Sequence, residues 1–256
     1  MTEAVAWRQR GAVWRVSSME FEQIGGEIHV WSAALDHEPD DLQRLEATLS
    51  REEKARANRF HFVRDKNRFV VARGRLRELL GGYLHQAPAD LEFSYGPHGK
   101  PFLSPANSST GLCFNLSHSA GLAVYAIAPE RNLGIDVELV RPDYAEEDVA
   151  RKYFSAQELG DLRSLPPETR DEGFFHCWTR KEAYLKARGM GLRIPLDSFA
   201  VSLLPDRPAQ FVSGVEPCWN LVAYRPAEGY VGAVVYDGAP SSIDYFSVDL
   251  IESSGS

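Results

Sequence analysis

Long apolar runs are missing from this 256-residue chain, so no segment offers the roughly 20 consecutive apolar residues that a membrane-spanning helix needs. The first 16 residues hold charges and two tryptophans where a secretory leader needs an apolar stretch, and no leader is expected. Cysteine is sparse. Cys113, Cys177 and Cys218 have neither paired spacing nor the spacing of a metal site, and an odd count fits a reducing compartment, the cytoplasm. Positive charge is in deficit, 28 Lys and Arg against 36 Asp and Glu for a net charge of −8, so bulk attraction to nucleic acid or to an anionic membrane is not expected. With 44% apolar and 25% charged residues the chain is neither disordered nor fibrous in composition.

What charge there is lies unevenly. Residues 51–77 carry ten Lys or Arg against Glu52, Glu53 and Asp65. A basic stretch on an acidic protein suits a small polyanion or an acidic partner docking at one place; the plainer reading is a solvated helix face.

Periodicity predicts an α+β chain. Residues 1–26 read as an irregular extension and 27–34 as a first strand. Residues 42–62 read as helix, restarting at Ser50, which has Glu53 three residues on in a capping-box pattern. Helix follows over 65–84, with a break or end at Gly81-Gly82, then strands over 113–119, 122–128 and 133–139. Helical sequence over 144–165 restarts at Ser155 with Glu158; Pro166-Pro167 reads as a loop, and 169–188 as the longest helix, ended by Gly189. Strands are expected over 199–204, 209–212, 218–225 and 230–236. The order of elements before about 140 resembles the order after it, which predicts two similar α/β lobes, 27–140 and 141–250, with a tail at 251–256.

Three stretches carry chemistry. In Gly134-Ile-Asp-Val-Glu138, alternation along a strand puts Asp136 and Glu138 on one face about 6–7 Å apart, with Ile135 and Val137 on the other. Two such acids raise each other's pKa unless a cation lies between them, and Mg²⁺ is suited to that position; two solvated acids at a strand end is the bland alternative. On the helix, Trp178, Glu182 and Lys186 share one stripe, with Lys181 beside it. Ser117 beside His118 invites a nucleophilic reading, but neighbours in an extended chain face opposite ways and no G-x-S-x-G surrounds the serine. The 94–102 turn exposes Lys100 but has two residues between its glycines and Pro101 after the lysine, so it is not a P-loop; its N–H groups and Lys100 suit a phosphate.

Taken together, Phe114-Asn-Leu-Ser-His-Ser119, Gly134-Ile-Asp-Val-Glu138 and Trp178-Thr-Arg-Lys-Glu-Ala-Tyr-Leu-Lys186 resemble the three signature motifs of 4′-phosphopantetheinyl transferases of the surfactin-synthetase-activating type. Gly99-Lys100-Pro101 and Phe154-Ser155-x-x-Glu158 match as well, so the resemblance covers much of residues 50–200. It implies a cytoplasmic monomer of two pseudo-twofold lobes with coenzyme A in the cleft between them. Such an enzyme moves the phosphopantetheine arm to a serine of an acyl or peptidyl carrier protein and releases adenosine 3′,5′-bisphosphate. By resemblance Asp136, Glu138 and Glu182 hold Mg²⁺, with Mn²⁺ equally suited to oxygen ligands. Lys186, and by proximity Lys181, lie near the phosphates, Ser117 and His118 contact phosphate, and Lys100 with Pro101 forms a nucleotide contact. Arg56 falls near a basic position that binds the 3′-phosphate, and Arg73 resembles an arginine with the same task in eukaryotic members. Glu53 departs from the pattern, since some bacterial members carry a lysine there.

The resemblance makes Glu182 the general base toward the carrier serine and Lys186 the group that stabilises the departing bisphosphate. Two competing readings remain open: another Mg²⁺-dependent phosphotransfer enzyme built on the same carboxylates, and a catalytically silent binder of coenzyme A or of carrier proteins.

Overall fold

Each half of the chain builds the same run of elements. The computed structural model describes residues 14–16, 24–105, 111–141 and 147–248. The first half holds strands β1 (Trp14–Val16) and β2 (Ile28–Ala34), helices α1 (Pro39–Thr48), α2 (Arg51–Ala57) and α3 (Val63–Leu84), and a 3₁₀ turn at Pro88–Asp90. Strands β3 (Phe93–Tyr95), β4 (Pro101–Leu103), β5 (Leu112–Ser119) and β6 (Leu122–Pro129) complete it. The second half repeats the order. It has β7 (Leu133–Leu139), helices α4 (Glu147–Tyr153), α5 (Ala156–Ser164) and α6 (Pro167–Arg188), 3₁₀ turns at Gly191–Arg193 and Leu196–Ser198, and strands β8 (Ala200–Val201), β9 (Phe211–Ser213), β10 (Trp219–Tyr224) and β11 (Tyr230–Asp237). Strand β12 (Ile243–Ser247) comes last.

Strand pairing makes the repeat explicit: antiparallel β2-β6-β5 in one sheet matches antiparallel β7-β11-β10 in the other. The halves therefore divide between β6 and β7, near residue 131, rather than at 140. The apolar run that ends one half's sheet is followed by a strand that pairs only into the other. β12 returns to the first sheet and lies parallel between β1 and β2, so the expected second lobe of 141–250 gives up its last strand, and residues 14–16 are paired rather than irregular. Residues 1–13 and 17–23 of the expected extension, and the 251–256 tail, lie outside the described residues.

The strands read as near-continuous apolar runs because both sheet faces are covered. Trp31, Ala33, Tyr125 and Ile127 meet Val71, Leu76, Leu79 and Leu80 of α3. Val30, Val124 and Ala126 meet Ile135, Val137 and Val234 in a core shared by the two sheets. Ala233 and Val235 face α6. β7 runs directly against α6, and only Gly134 permits this, since a Cβ there would overlap the Ala183 carbonyl and the Ala187 backbone.

Both predicted capping boxes form. Ser50 accepts from Glu53 N while the Glu53 carboxylate accepts from Ser50 N, and Ser155 and Glu158 do the same for α5. Two boundaries differ from expectation. Pro166 and Pro167 start α6 rather than forming a loop, since Pro at the first helical turn forfeits no hydrogen bond, and α3 runs through Gly81-Gly82 to a left-handed cap at His85.

Candidate active site

β5 and β7 lie side by side at the junction of the halves, joined through side chains rather than a backbone ladder. Asn115 Oδ1 accepts from Ile135 N at 2.8 Å, Ser117 Oγ donates to Asp136 Oδ1 at 2.7 Å, and Ser119 Oγ donates to Glu138 Oε2 at 2.5 Å. The period of two in Asn115, Ser117 and Ser119 was visible in the sequence; their partners across the junction were not. α6 crosses this seam and brings in Lys186, whose Nζ donates to Asp136 Oδ1 at 2.6 Å and to Ser117 Oγ at 2.8 Å. An ammonium has three donors, so one remains for an incoming ligand.

A cleft of ≈ 590 Å³ opens above the seam. One wall carries Asp136, Glu138, Glu182 and Lys186, the other Arg56, Phe60, Phe69 and Arg73, with Ser117, His118, Gly99, Pro101 and Trp178 between them. The structure thus brings together nine of the residues singled out from the sequence. Burial raises the Glu182 carboxyl above its ordinary pKa, and the neighbouring Asp136 and Glu138 add to it while Lys186 opposes. Glu138 is also raised, first by burial and further by Asp136, against the hydrogen bond from Ser119. The His118 imidazole is lowered by loss of solvation against the cleft walls and then by the charges of Lys186 and Arg56.

Two expected residues lie elsewhere. Lys181 is fully buried on the opposite face of α6, where Nζ pairs with Glu158 Oε2 at 2.8 Å and donates to the Leu196 and Phe199 carbonyls. Adjacency in a helix turns neighbouring side chains about 100° apart, so sharing the motif with Glu182 did not place it at the phosphates. Lys100 is not presented by its turn either; its Nζ donates to the Leu133, Lys186 and Ala187 carbonyls.

The basic stretch is divided in the same way. Arg73, Arg75 and Arg77 are buried, and Glu53, the unexpected acid, holds two of them: Arg77 Nε donates to Oε2 at 2.7 Å and Arg73 Nε lies 3.0 Å from Oε1. Arg73 also donates to the Tyr95 hydroxyl at 3.1 Å. Among the described residues its Nη1 is buried without a hydrogen-bond partner, and so is Asp136 Oδ2.

No group of three His, Cys, Asp or Glu among the described residues is gathered as a metal site. Lys186 occupies one oxygen, Oδ1, of Asp136, which the resemblance assigns to Mg²⁺. The donor set nonetheless fits a hard divalent cation: three carboxylates share one ammonium, two of them are held above their ordinary range, and Asp136 Oδ2 has no hydrogen-bond partner among the described residues. No helix among the described residues is long and apolar enough to cross a membrane.

Comparison with known proteins divides the chain at the same point as the strand pairing. Residues 34–130 match the family described as 4′-phosphopantetheinyl transferase, N-terminal, and residues 132–235 match the 4′-phosphopantetheinyl transferase superfamily. The 4′-phosphopantetheinyl transferase HetI of Nostoc sp. is 43% identical over 215 residues, 84% of this chain and 90% of that protein. A 4′-phosphopantetheinyl transferase of Bacillus subtilis is 33% identical over 75% of this chain and 83% of its own length, and Sfp of the same species is 28% identical over 76% and 85%. Asp136, Glu138, Glu182 and Lys186 thus line a junction between two halves that both match this family, and the chain belongs to the 4′-phosphopantetheinyl transferase superfamily.

Proposed function

We propose that this chain transfers the 4′-phosphopantetheine arm of coenzyme A to a serine of an apo carrier protein. The observation that carries the reading is one cleft that gathers Asp136, Glu138, Glu182 and Lys186 with Arg56 and Arg73, a set of carboxylates and cations that suits a cation-bound polyphosphate. A nucleotide diphosphate with a further phosphate supplies the anions, and Asp136, Glu138 and Glu182 would hold Mg²⁺ or Mn²⁺. Bound there, the ion would neutralise and orient the diphosphate.

The chain's own groups do the rest. The carrier serine Oγ attacks the β-phosphorus, the bond from that phosphorus to the bridging oxygen breaks, and adenosine 3′,5′-bisphosphate leaves. The serine proton passes to Glu182, whose raised pKa makes it a stronger base than an ordinary carboxylate. Lys186, with one donor uncommitted, balances the charge that builds on the leaving oxygen. Arg73, fixed by Glu53 and Tyr95, and Arg56, stacked over Phe69 at 5.2 Å, take the 3′-phosphate, while Ser117 and His118 lie along the diphosphate. Cytoplasmic location and a monomeric state belong to the same reading.

Intact-mass spectrometry of an apo carrier incubated with the chain, coenzyme A and Mg²⁺, with and without a chelator, tests it. A gain of about 340 Da that chelation abolishes is expected. Coenzyme A binding without a mass shift on fatty-acid, polyketide and peptide carriers would leave the silent binder.

A further inference from the structure

We propose that Lys100 is a positioning residue that fastens the turn between β3 and β4 to the end of α6 and so sets one wall of the coenzyme A cleft. Its ammonium donates to Lys186 O at 2.7 Å, to Leu133 O at 2.8 Å and to Ala187 O at 3.3 Å. Three bonds exhaust its donors, so none is left for a phosphate. The first and third acceptors are carbonyls of the last turn of α6; Lys186 O otherwise accepts only a long 3.3 Å bond from the cap residue Gly189 among the described residues, and a cation there also meets the negative end of the helix dipole. Leu133 opens β7, three residues before Asp136. One side chain of the first half therefore ties together the start of the strand that carries two site carboxylates and the end of the helix that carries Glu182 and Lys186.

The consequence for the cleft follows from the flanking residues. Gly99 and Pro101 line it directly. The turn has little else to hold it: within it, Gly96 N donates to Lys100 O and Gly99 N to Gly96 O, while His98 and Gly99 are exposed. Lys100 also lines two smaller cavities, one lined further by His98, Leu116, Glu182 and Leu185, the other by Phe102, Leu103, Cys113 and Arg131. Removing the ammonium frees the wall and the helix end together.

Burial lowers the Lys100 pKa to about 8, so all three donors are present at neutral pH, and the clamp loses its charge and one donor as the pH rises through that value. Cys113 on β5 and Asp237 on β11 oppose the shift. His98 of the turn, Arg131 before β7, and Glu182, Lys186 and Arg188 of α6 are the other charged or titratable groups around the same cavities.

The inference rests on the cleft being the coenzyme A site, and its test starts without that ligand. Hydrogen exchange of the free protein is compared between wild type and Lys100→Met at pH 7. Faster exchange confined to residues 96–101 and 185–189 is expected, together with a coenzyme A KM raised at least tenfold and an unchanged carrier KM. In wild type the protection factors of the same amides fall between pH 7 and pH 9, which tests the clamp even if the variant does not fold. A raised KM with unaltered exchange in the free variant, and pH-independent protection in wild type, would make Lys100 a direct nucleotide contact and overturn the proposal. A wild type that transfers nothing to any carrier would overturn the function while leaving the exchange result to decide the clamp.

Discussion

The two halves place a glutamate at the same point of the same frame and give it opposite surroundings. In each, a capping-box glutamate is buried against a cation on the long helix, and that cation donates to two carbonyls at the 3₁₀ turn that follows. Glu53 holds Arg77, which reaches Pro88 O and Leu91 O; Glu158 holds Lys181, which reaches Leu196 O and Phe199 O. The residue after the cation is Glu78 in α3 and Glu182 in α6. Glu78 is neutralised by Arg44 and Arg75. Glu182 has no ion pair among the described residues and faces Asp136 and Glu138 instead. The same frame thus holds a glutamate neutralised by two arginines in one half and a glutamate facing two carboxylates in the other. The first half kept its cations and turned one of them, Arg73, to the cleft.

Breaking either frame should have the largest effect. Glu158→Gln leaves Lys181 as an uncompensated buried charge and is expected to cost about 3–5 kcal/mol of stability in urea unfolding, with KM for coenzyme A unchanged at temperatures where the protein stays folded. Glu53→Gln should destabilise comparably and also raise that KM, because Arg73 loses its anchor; equal KM effects from both would end the distinction between the halves. Next come the paired glutamates. Glu182→Gln is expected to lower kcat at least 100-fold, about 2.7 kcal/mol of transition-state stabilisation, with no loss in Tm. Glu78→Gln should do the reverse, costing about 1.5–3 kcal/mol of stability with kcat intact. A loss under threefold for Glu182→Gln with Mg²⁺ saturating would remove it from the chemistry.

Smaller changes sharpen the comparison. Lys181→Arg puts a bulkier cation into a site with no exposure and should cost about 1–3 kcal/mol, showing that the second frame is sized for an ammonium where the first is sized for a guanidinium. Reversing the charge of Arg64 and Lys66, whose nearest acids Asp65 and Glu46 lie 3.6 and 4.0 Å away, should move stability by less than about 1 kcal/mol. Carrier association should slow with coenzyme A affinity unaltered, as stopped-flow mixing would show.

Local signals carried far in this sequence. Apolar alternation and the Ser50/Glu53 and Ser155/Glu158 boxes located most elements, because caps and periods are set by neighbours within four residues. The gathering of Asp136, Glu138 and Glu182 in one cleft was legible for the same reason, since Asp136 and Glu138 share a strand face and Glu182 and Lys186 a helix stripe. Lys100, Lys181 and Glu53 were not. Each is decided by a partner at least 20 residues away, and a charged side chain gives no sign in the sequence of whether water or a buried carbonyl will receive it. β12 escaped notice because its pairing with β2 joins residues more than 200 positions apart.

That last strand bears on how the protein is made. β12 fills an interior position of the first sheet, between β1 and β2, yet it is synthesised after the whole second half. While the chain emerges, β2 presents an unpaired edge, and a nascent first half is exposed to any other chain that offers a strand there. Closure of the earliest sheet thus has to wait for the last strand to be made, and premature termination anywhere before residue 243 leaves an open edge in the part of the molecule that is synthesised first.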